Sequence, residues 1–238
     1  MLVDISPNRD RWHFSGFAIA VHRRYFTFTC LGGLIMAISA HADNTVEGMV
    51  QLPPPTVERA LVQRYGTNVE APLTPSNPPA AVVYIEGNFP TKSNRATTTA
   101  AEMVQKNMLF APDLVVVHVG GAVTFPNLDD TYHNVFSYSK AKRFDLGRYR
   151  KDEKPAAVVF DKPGVVSVHC EIHDRMRGTI LVLETPYFRK TDSAGHYRLD
   201  HLPAGHFVIK AWVNEADVRE RAIDLKNGAT LKVDFPGK

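Results

Sequence analysis

The chemistry-bearing stretch of the chain is Val168-His169-Cys170-Glu171-Ile172-His173-Asp174-Arg175-Met176. It sets a thiol, an imidazole and a thioether at Cys170-x2-His173-x2-Met176. Thiolate and thioether are soft donors that select copper among first-row metals, and imidazole suits copper equally. A blue-copper site needs two imidazoles and one thiolate in a plane with a weak axial methionine. The loop supplies three of the four, and a fourth ligand must come from elsewhere. His133, in Phe125-Pro-Asn-Leu-Asp-Asp-Thr-Tyr-His133-Asn-Val-Phe-Ser137, is the candidate.

The elements that would position these residues read as strands. Gly164–Cys170 alternates so that Val166, Val168 and Cys170 share one face, toward a core. Glu171–Met176 must turn, and residues 178–184 return as the next strand. Further β-branched runs lie at 80–87, 113–125, 133–139, 156–160, 196–202, 206–213 and 229–235, separated by Gly, Pro, Asn and Asp. The spacing predicts an all-β chain of sandwiches. Residues 56–65 could make two helical turns capped by Thr56, and 91–101 reads as a loop or linker. The pair Asp129-Asp130 reads as turn chemistry. Met49, Met103 and Met108 are expected to be packing residues.

The first 42 residues read as an export leader. Arg23-Arg24 precede an apolar run from Phe26 to Ile38, and Ala40-His41-Ala42 offers a small-x-small cleavage site. Arg23-Arg24-Tyr25-Phe26 is a weak twin-arginine match, so Sec and twin-arginine export both stay open. Cleavage would remove Cys30 and leave Cys170 as the single cysteine, which excludes an internal disulfide. The whole chain carries 28 Lys and Arg against 25 Asp and Glu. Four of the basic and two of the acidic residues fall in the leader, so residues 43–238 are close to neutral. That gives no basis for a nucleic-acid partner, and no integral membrane span is expected after cleavage. No phosphate-binding loop, Ser-His-Asp order or glycosidase carboxylate pair is present, and the chain is not expected to be an enzyme.

Residues 103–184 resemble a cupredoxin of the plastocyanin/amicyanin type. The carriers are "VGGAVTFPNLDDTYHNVFS" and "FDKPGVVSVHCEIHDRMRGTILV", with the short ligand spacing of amicyanin. The resemblance implies a Greek-key β-sandwich holding one type 1 copper ion through His133, Cys170, His173 and Met176. It implies that Asn134 ties the two ligand loops together and that the exposed edge of His173 passes electrons. The loop departs from the family in carrying Glu171, Asp174, Arg175 and Arg177 where apolar residues are usual, so docking is expected to be more charged and salt-sensitive. His169 precedes the cysteine, as in copper nitrite reductases and oxidases. Glu171, Phe136 and Tyr138 stand where those enzymes place second-site residues, which argues against a second copper. His169 as a remote point of electron access and His169 as a solvated strand residue both stay open.

A second resemblance, to the carboxypeptidase regulatory-like (transthyretin-like) β-sandwich, rests on Thr191-Asp192-x-x-Gly195-x-Tyr197-x-Leu199 and Leu202-Pro203-x-Gly205-x-Phe207. It also rests on an opening pair, Val46–Val50 and Val82–Gly87. The expected organisation is a leader (1–42), a discontinuous outer sandwich (43–90 and 185–238), a linker (91–102) and an inserted cupredoxin domain (103–184). The alternative is two sandwiches in tandem. Exported proteins of this two-part type resemble those labelled methylamine-utilisation-like. The expected function is a periplasmic carrier of single electrons, with a dehydrogenase, oxidase or cytochrome as redox partner. A copper storage, delivery or sensing module without fast electron transfer is the alternative. A structural β-protein that has lost copper is a third reading, opposed by the intact ligand set.

Overall fold

The computed structural model describes residues 43–54, 79–87, 89, 100–153 and 155–237. The expected leader and the 56–65 stretch lie outside these residues, as does 91–99. Among the described residues every regular element is a strand, so the chain is all-β. Among the described residues no helix is long and apolar enough to cross a membrane.

Two strands open the order, β1 (Asn44–Met49) and β2 (Val82–Glu86). Ten more come next: β3 (Ala101–Glu102), β4 (Val104–Lys106), β5 (Leu109–Ala111), β6 (Leu114–His118), β7 (Ala122–Thr124), β8 (His133–Tyr138), β9 (Arg143–Tyr149), β10 (Val158–Val159), β11 (Gly164–His169) and β12 (Arg177–Leu183). The last five are β13 (Phe188–Lys190), β14 (His196–Leu202), β15 (Gly205–Asn214), β16 (Asp217–Leu225) and β17 (Thr230–Lys232). Ala101-Glu102, expected in the linker, instead pair in parallel with β7.

A five-stranded sheet, β6-β12-β11-β8-β9, faces the smaller β10-β7-β3 sheet and the β4-β5 hairpin. Met103, Phe110, Phe125, Val135, Phe160, Val166, Val168 and Ile180 fill the space between them, together with Cys170 and Met176. The remaining strands make a second sandwich from sheets β14-β1-β17 and β13-β2-β15-β16. Here β1 pairs with β14 and β17, and β2 with β13 and β15, so N-terminal and C-terminal segments share one core.

The two sandwiches meet through a seam of Val82, Tyr84, Leu181, Leu183 and Trp212. This explains the unbroken apolar runs in β2 and β12. Along β12, Ile180 and Val182 enter the first core while Leu181 and Leu183 enter the seam. Along β2, Val83 and Ile85 enter the second core while Val82 and Tyr84 enter the seam. A strand with both faces buried has no reason to alternate.

The Thr-Asp-x-x-Gly motif is a turn against β1. The Asp192 carboxylate accepts from the amides of Ala194 at 2.9 Å and His196 at 2.8 Å. Gly195 has φ +89°, and a Cβ there would stand 2.0 Å from the Val50 carbonyl oxygen. Tyr197 then donates its hydroxyl to the Val233 carbonyl at 2.6 Å.

Six strands have no counterpart among the sequence expectations; four are short (β3, β4, β5 and β13), and the two long ones, β9 and β16, each lie at the edge of their sheet. Edge strands carry charges that block further pairing. Arg143, Asp145 and Arg148 in β9, and Arg219, Glu220, Arg221 and Asp224 in β16, mask the strand pattern. Of the three methionines expected to pack, Met103 is fully buried, but Met49 and Met108 are exposed. Met108 and Asn107 form the two-residue turn of the β4-β5 hairpin at φ 57° and 56°. Positive φ at both positions is what such a hairpin requires.

Candidate metal centre

The thiol and the two imidazoles come from two supports, the β11–β12 connection and the start of β8. Cys170 comes directly after the last residue of β11, and its amide donates to the Met176 carbonyl at 3.3 Å. The Met176 amide in turn donates to the His173 carbonyl at 2.9 Å. These two bonds close residues 170–176 into a tight connection between β11 and β12, whose ends pair as His169 with Arg177. His133 opens β8, which reaches the same end of the sheet through pairing with β11.

His133, Cys170 and His173 each present a ligating atom, and these atoms lie within 4.8 Å of one another. The Nδ1 atoms of His133 and His173 are 3.0 Å apart, and the Cys170 Sγ is 3.9 Å from the His173 Nδ1. Nitrogen and sulfur donors at first-row metal distances in a trigonal plane stand roughly 3.5–3.8 Å apart. The two imidazole nitrogens stand about half an ångström too close, and the widest pair up to about an ångström too far apart, to share one ion; shifts of that size lie within side-chain adjustment, so the donor set fits. Met176 is fully buried in the core cluster that also contains Cys170. His133 and Cys170 are buried, and His173 is the member of the trio nearest solvent. Burial, followed by the neighbouring His133, pushes His173 below the usual histidine range.

Asn134 joins the two supports. Its carbonyl oxygen accepts from the Glu171 amide at 3.1 Å, and its amide nitrogen donates to Asp145 at 2.8 Å. The approach to His133 is held by residues that no sequence motif singles out. Asn127, nearly fully buried, donates to the carbonyls of Thr131 at 2.9 Å and Tyr149 at 3.0 Å and accepts from the Asp129 amide at 2.9 Å. Beneath it, Gln105 donates to the Phe125 carbonyl and to the Tyr149 hydroxyl, which itself donates to Phe125. Burial drives the Tyr149 hydroxyl far above its ordinary range.

Asp129, expected only to make the turn, also reaches the centre. Its Oδ2 lies 2.8 Å from the His133 Nε2. The same carboxylate accepts from the backbone amides of Asn107 at 2.8 Å and Met108 at 2.9 Å. Partial burial would raise its pKa, but the bonds from Met108, His133 and Asn107 outweigh it and hold the carboxyl below the ordinary range. An acid separated from a histidine by three residues across a turn was the available signal.

His169 points away from the trio. Its ring lies 5.8 Å from that of Phe136, whose own ring is 5.3 Å from Tyr138. Burial, with Arg177 second, lowers its pKa. Around the centre, Arg148 pairs with Glu171 at 2.6 Å and Ile172 is exposed.

No protein-family model and no curated protein matches the chain. Among solved structures, it is similar to a Cu-containing nitrite reductase from Thermus scotoductus SA-01, with 24% identity and a TM-score of 0.34. That likeness covers 37% of this chain and 23% of the reductase, so the chain spans about a quarter of that protein's length. A purple cupredoxin from Nitrosopumilus maritimus is 22% identical with a TM-score of 0.31, covering 34% of this chain and 98% of the cupredoxin. A reduced Cu(I) form of an amicyanin variant is 22% identical with a TM-score of 0.33, covering 42% and 97% respectively.

Proposed function

We propose that the protein is an exported type 1 copper protein that carries single electrons between redox partners. His133, Cys170 and His173 would form the ligand plane and Met176 the weak axial position. The observation that carries this reading is the convergence of one thiol and two imidazoles, from sequence positions 37 and 40 residues apart, within 4.8 Å. A copper ion held there would supply a one-electron couple. The chain's own part is to hold the donors where both oxidation states are tolerated. Burial of Cys170 and His133 keeps water from the plane, and His173 leaves one imidazole edge toward a partner. The charged residues around that edge, Arg148, Glu171, Asp174, Arg175 and Arg177, favour a partner recognised through complementary charge. Periplasmic location follows from the leader, and a dehydrogenase, oxidase or cytochrome is the class of partner such a carrier serves.

The domain division belongs to the same proposal. Residues 43–90 and 185–238 form one outer sandwich, 103–184 is inserted into it, and 91–102 leads into the insert. The pairings of β1 with β14 and β17 and of β2 with β13 and β15 support it, and the outer sandwich then serves as an adaptor for docking.

Copper titration of the protein, followed by optical and EPR spectra alongside Cys170→Ser, tests the function. The expected result is one copper per chain, intense blue absorption, a reversible one-electron couple, and loss of the colour in the serine variant. A colourless protein that binds only Cu(I) and surrenders it readily to a chelator would instead mark a storage or delivery module.

A further inference from the structure

The His133 side chain is fully buried, and both its ring nitrogens have assignments. The Nδ1 faces the other donors, and the Nε2 meets the Asp129 carboxylate at 2.8 Å. An ionised carboxylate can only accept, so the Nε2 must carry the hydrogen and a neutral ring then offers its lone pair at Nδ1. The carboxylate is itself immobilised. Oδ1 accepts from the Asn107 amide, and Oδ2 accepts from both the Met108 amide and His133. Those two amides belong to the left-handed turn of the β4-β5 hairpin. One acidic side chain therefore locks a hairpin to a ligand and sets that ligand's tautomer.

We infer that Asp129 is a positioning residue that fixes His133 for copper and biases the site toward the cupric over the cuprous state. This rests on the copper reading above. A carboxylate behind a ligating imidazole orients the ring and raises its basicity, and such outer partners change metal affinity by roughly 10–100-fold when removed. An added anion at this range stabilises the more positive metal state more strongly. The couple exchanges one electron with the partner and no atom, so a shift in the two affinities appears directly as a shift in potential. Each tenfold loss in the ratio of Cu(II) to Cu(I) affinity raises a one-electron potential by about 59 mV.

The test is Asp129→Asn in the full chain, titrated with Cu(II) sulfate and with chelator-buffered Cu(I), together with voltammetry. The amide keeps the shape and an accepting oxygen but removes the charge. The expected result is a roughly 10–100-fold fall in Cu(II) affinity, a smaller fall for Cu(I), and a raised potential. Equal losses for both ions, or no change in potential, would overturn the inference and leave Asp129 a structural turn residue. A second measurement needs no variant. Ring nitrogen NMR of His133 in the metal-free protein should show a protonated Nε2 and an unprotonated Nδ1, and the reverse tautomer would also overturn it. Failure of the unsubstituted protein to bind copper at all would strike the function instead, while the tautomer measurement would still decide the role of Asp129.

Discussion

A buried histidine, a buried thiol and a fully buried methionine beside them make different demands on the protein. His133 has polar atoms that must be satisfied, and it satisfies one through Asp129 and directs the other at His173. Cys170 is inexpensive to bury, since a free cysteine behaves as a small hydrophobe. Met176 needs nothing but space, and its flexible thioether fills irregular gaps as readily as it ligates. Replacing Met176 by Leu separates the two roles, because the swap conserves volume and costs less than about 1.5 kcal/mol of stability. If Met176 donates to the metal, the copper-loaded variant should show a raised potential, since a donor that favoured the cupric state is gone. Voltammetry and urea unfolding measure the two effects. An unchanged potential with a small stability loss would return Met176 to packing alone.

The donor side chains of His133, Cys170 and His173 are held by two elements that meet at one end of a sheet, the β11–β12 connection and the start of β8. Their join is the Asn134 side chain. Substituting Asn134→Ala would leave the Glu171 amide without its partner, a loss of about 1–3 kcal/mol where that group is shielded from water, while exposed Asp145 keeps its bond from the Gly147 amide. Faster hydrogen exchange at the Glu171 amide and faster copper release to a chelator are the expected signs. Exchange unchanged from the parent would show that the loop holds itself. Much at this scale is legible in the sequence. The period-two pattern in residues 164–170 places Val166, Val168 and Cys170 inward, and all three are buried. Other features are hidden for physical reasons. The edge strands β9 and β16 carry the charges that edges need, which erases the pattern that would reveal them. Asp129 reads as a turn former because an aspartate that bonds its own turn and one that bonds a ligand occupy the same place in sequence. Gln105, Asn127 and Tyr149 brace the His133 approach from positions that only the fold brings together.

The seam between the sandwiches ties the candidate metal site to the rest of the molecule. β12 leaves the Cys170–Met176 loop at Arg177 and four residues later sends Leu181 into contact with the far side. Trp212 sits in that seam, and the chain's other tryptophan, Trp12, falls in the expected leader, so in protein without the leader the emission reports on the junction. A ligand that binds only the folded state stabilises whatever unfolds with its site, by about 2.7 kcal/mol at a hundred times its dissociation constant. Because both faces of β2 and β12 are buried, the first sandwich cannot open without exposing the seam. Copper should therefore raise the midpoint of the Trp212 transition in urea as much as that of the blue absorption. Leu181→Ala would weaken the seam by about 2–5 kcal/mol. In that variant the Trp212 midpoint should track copper less closely, while the colour and potential of the site stay those of the parent. A Trp212 transition that ignores copper in the unsubstituted protein would mean that the two sandwiches unfold independently, and that the seam is a contact without mechanical consequence.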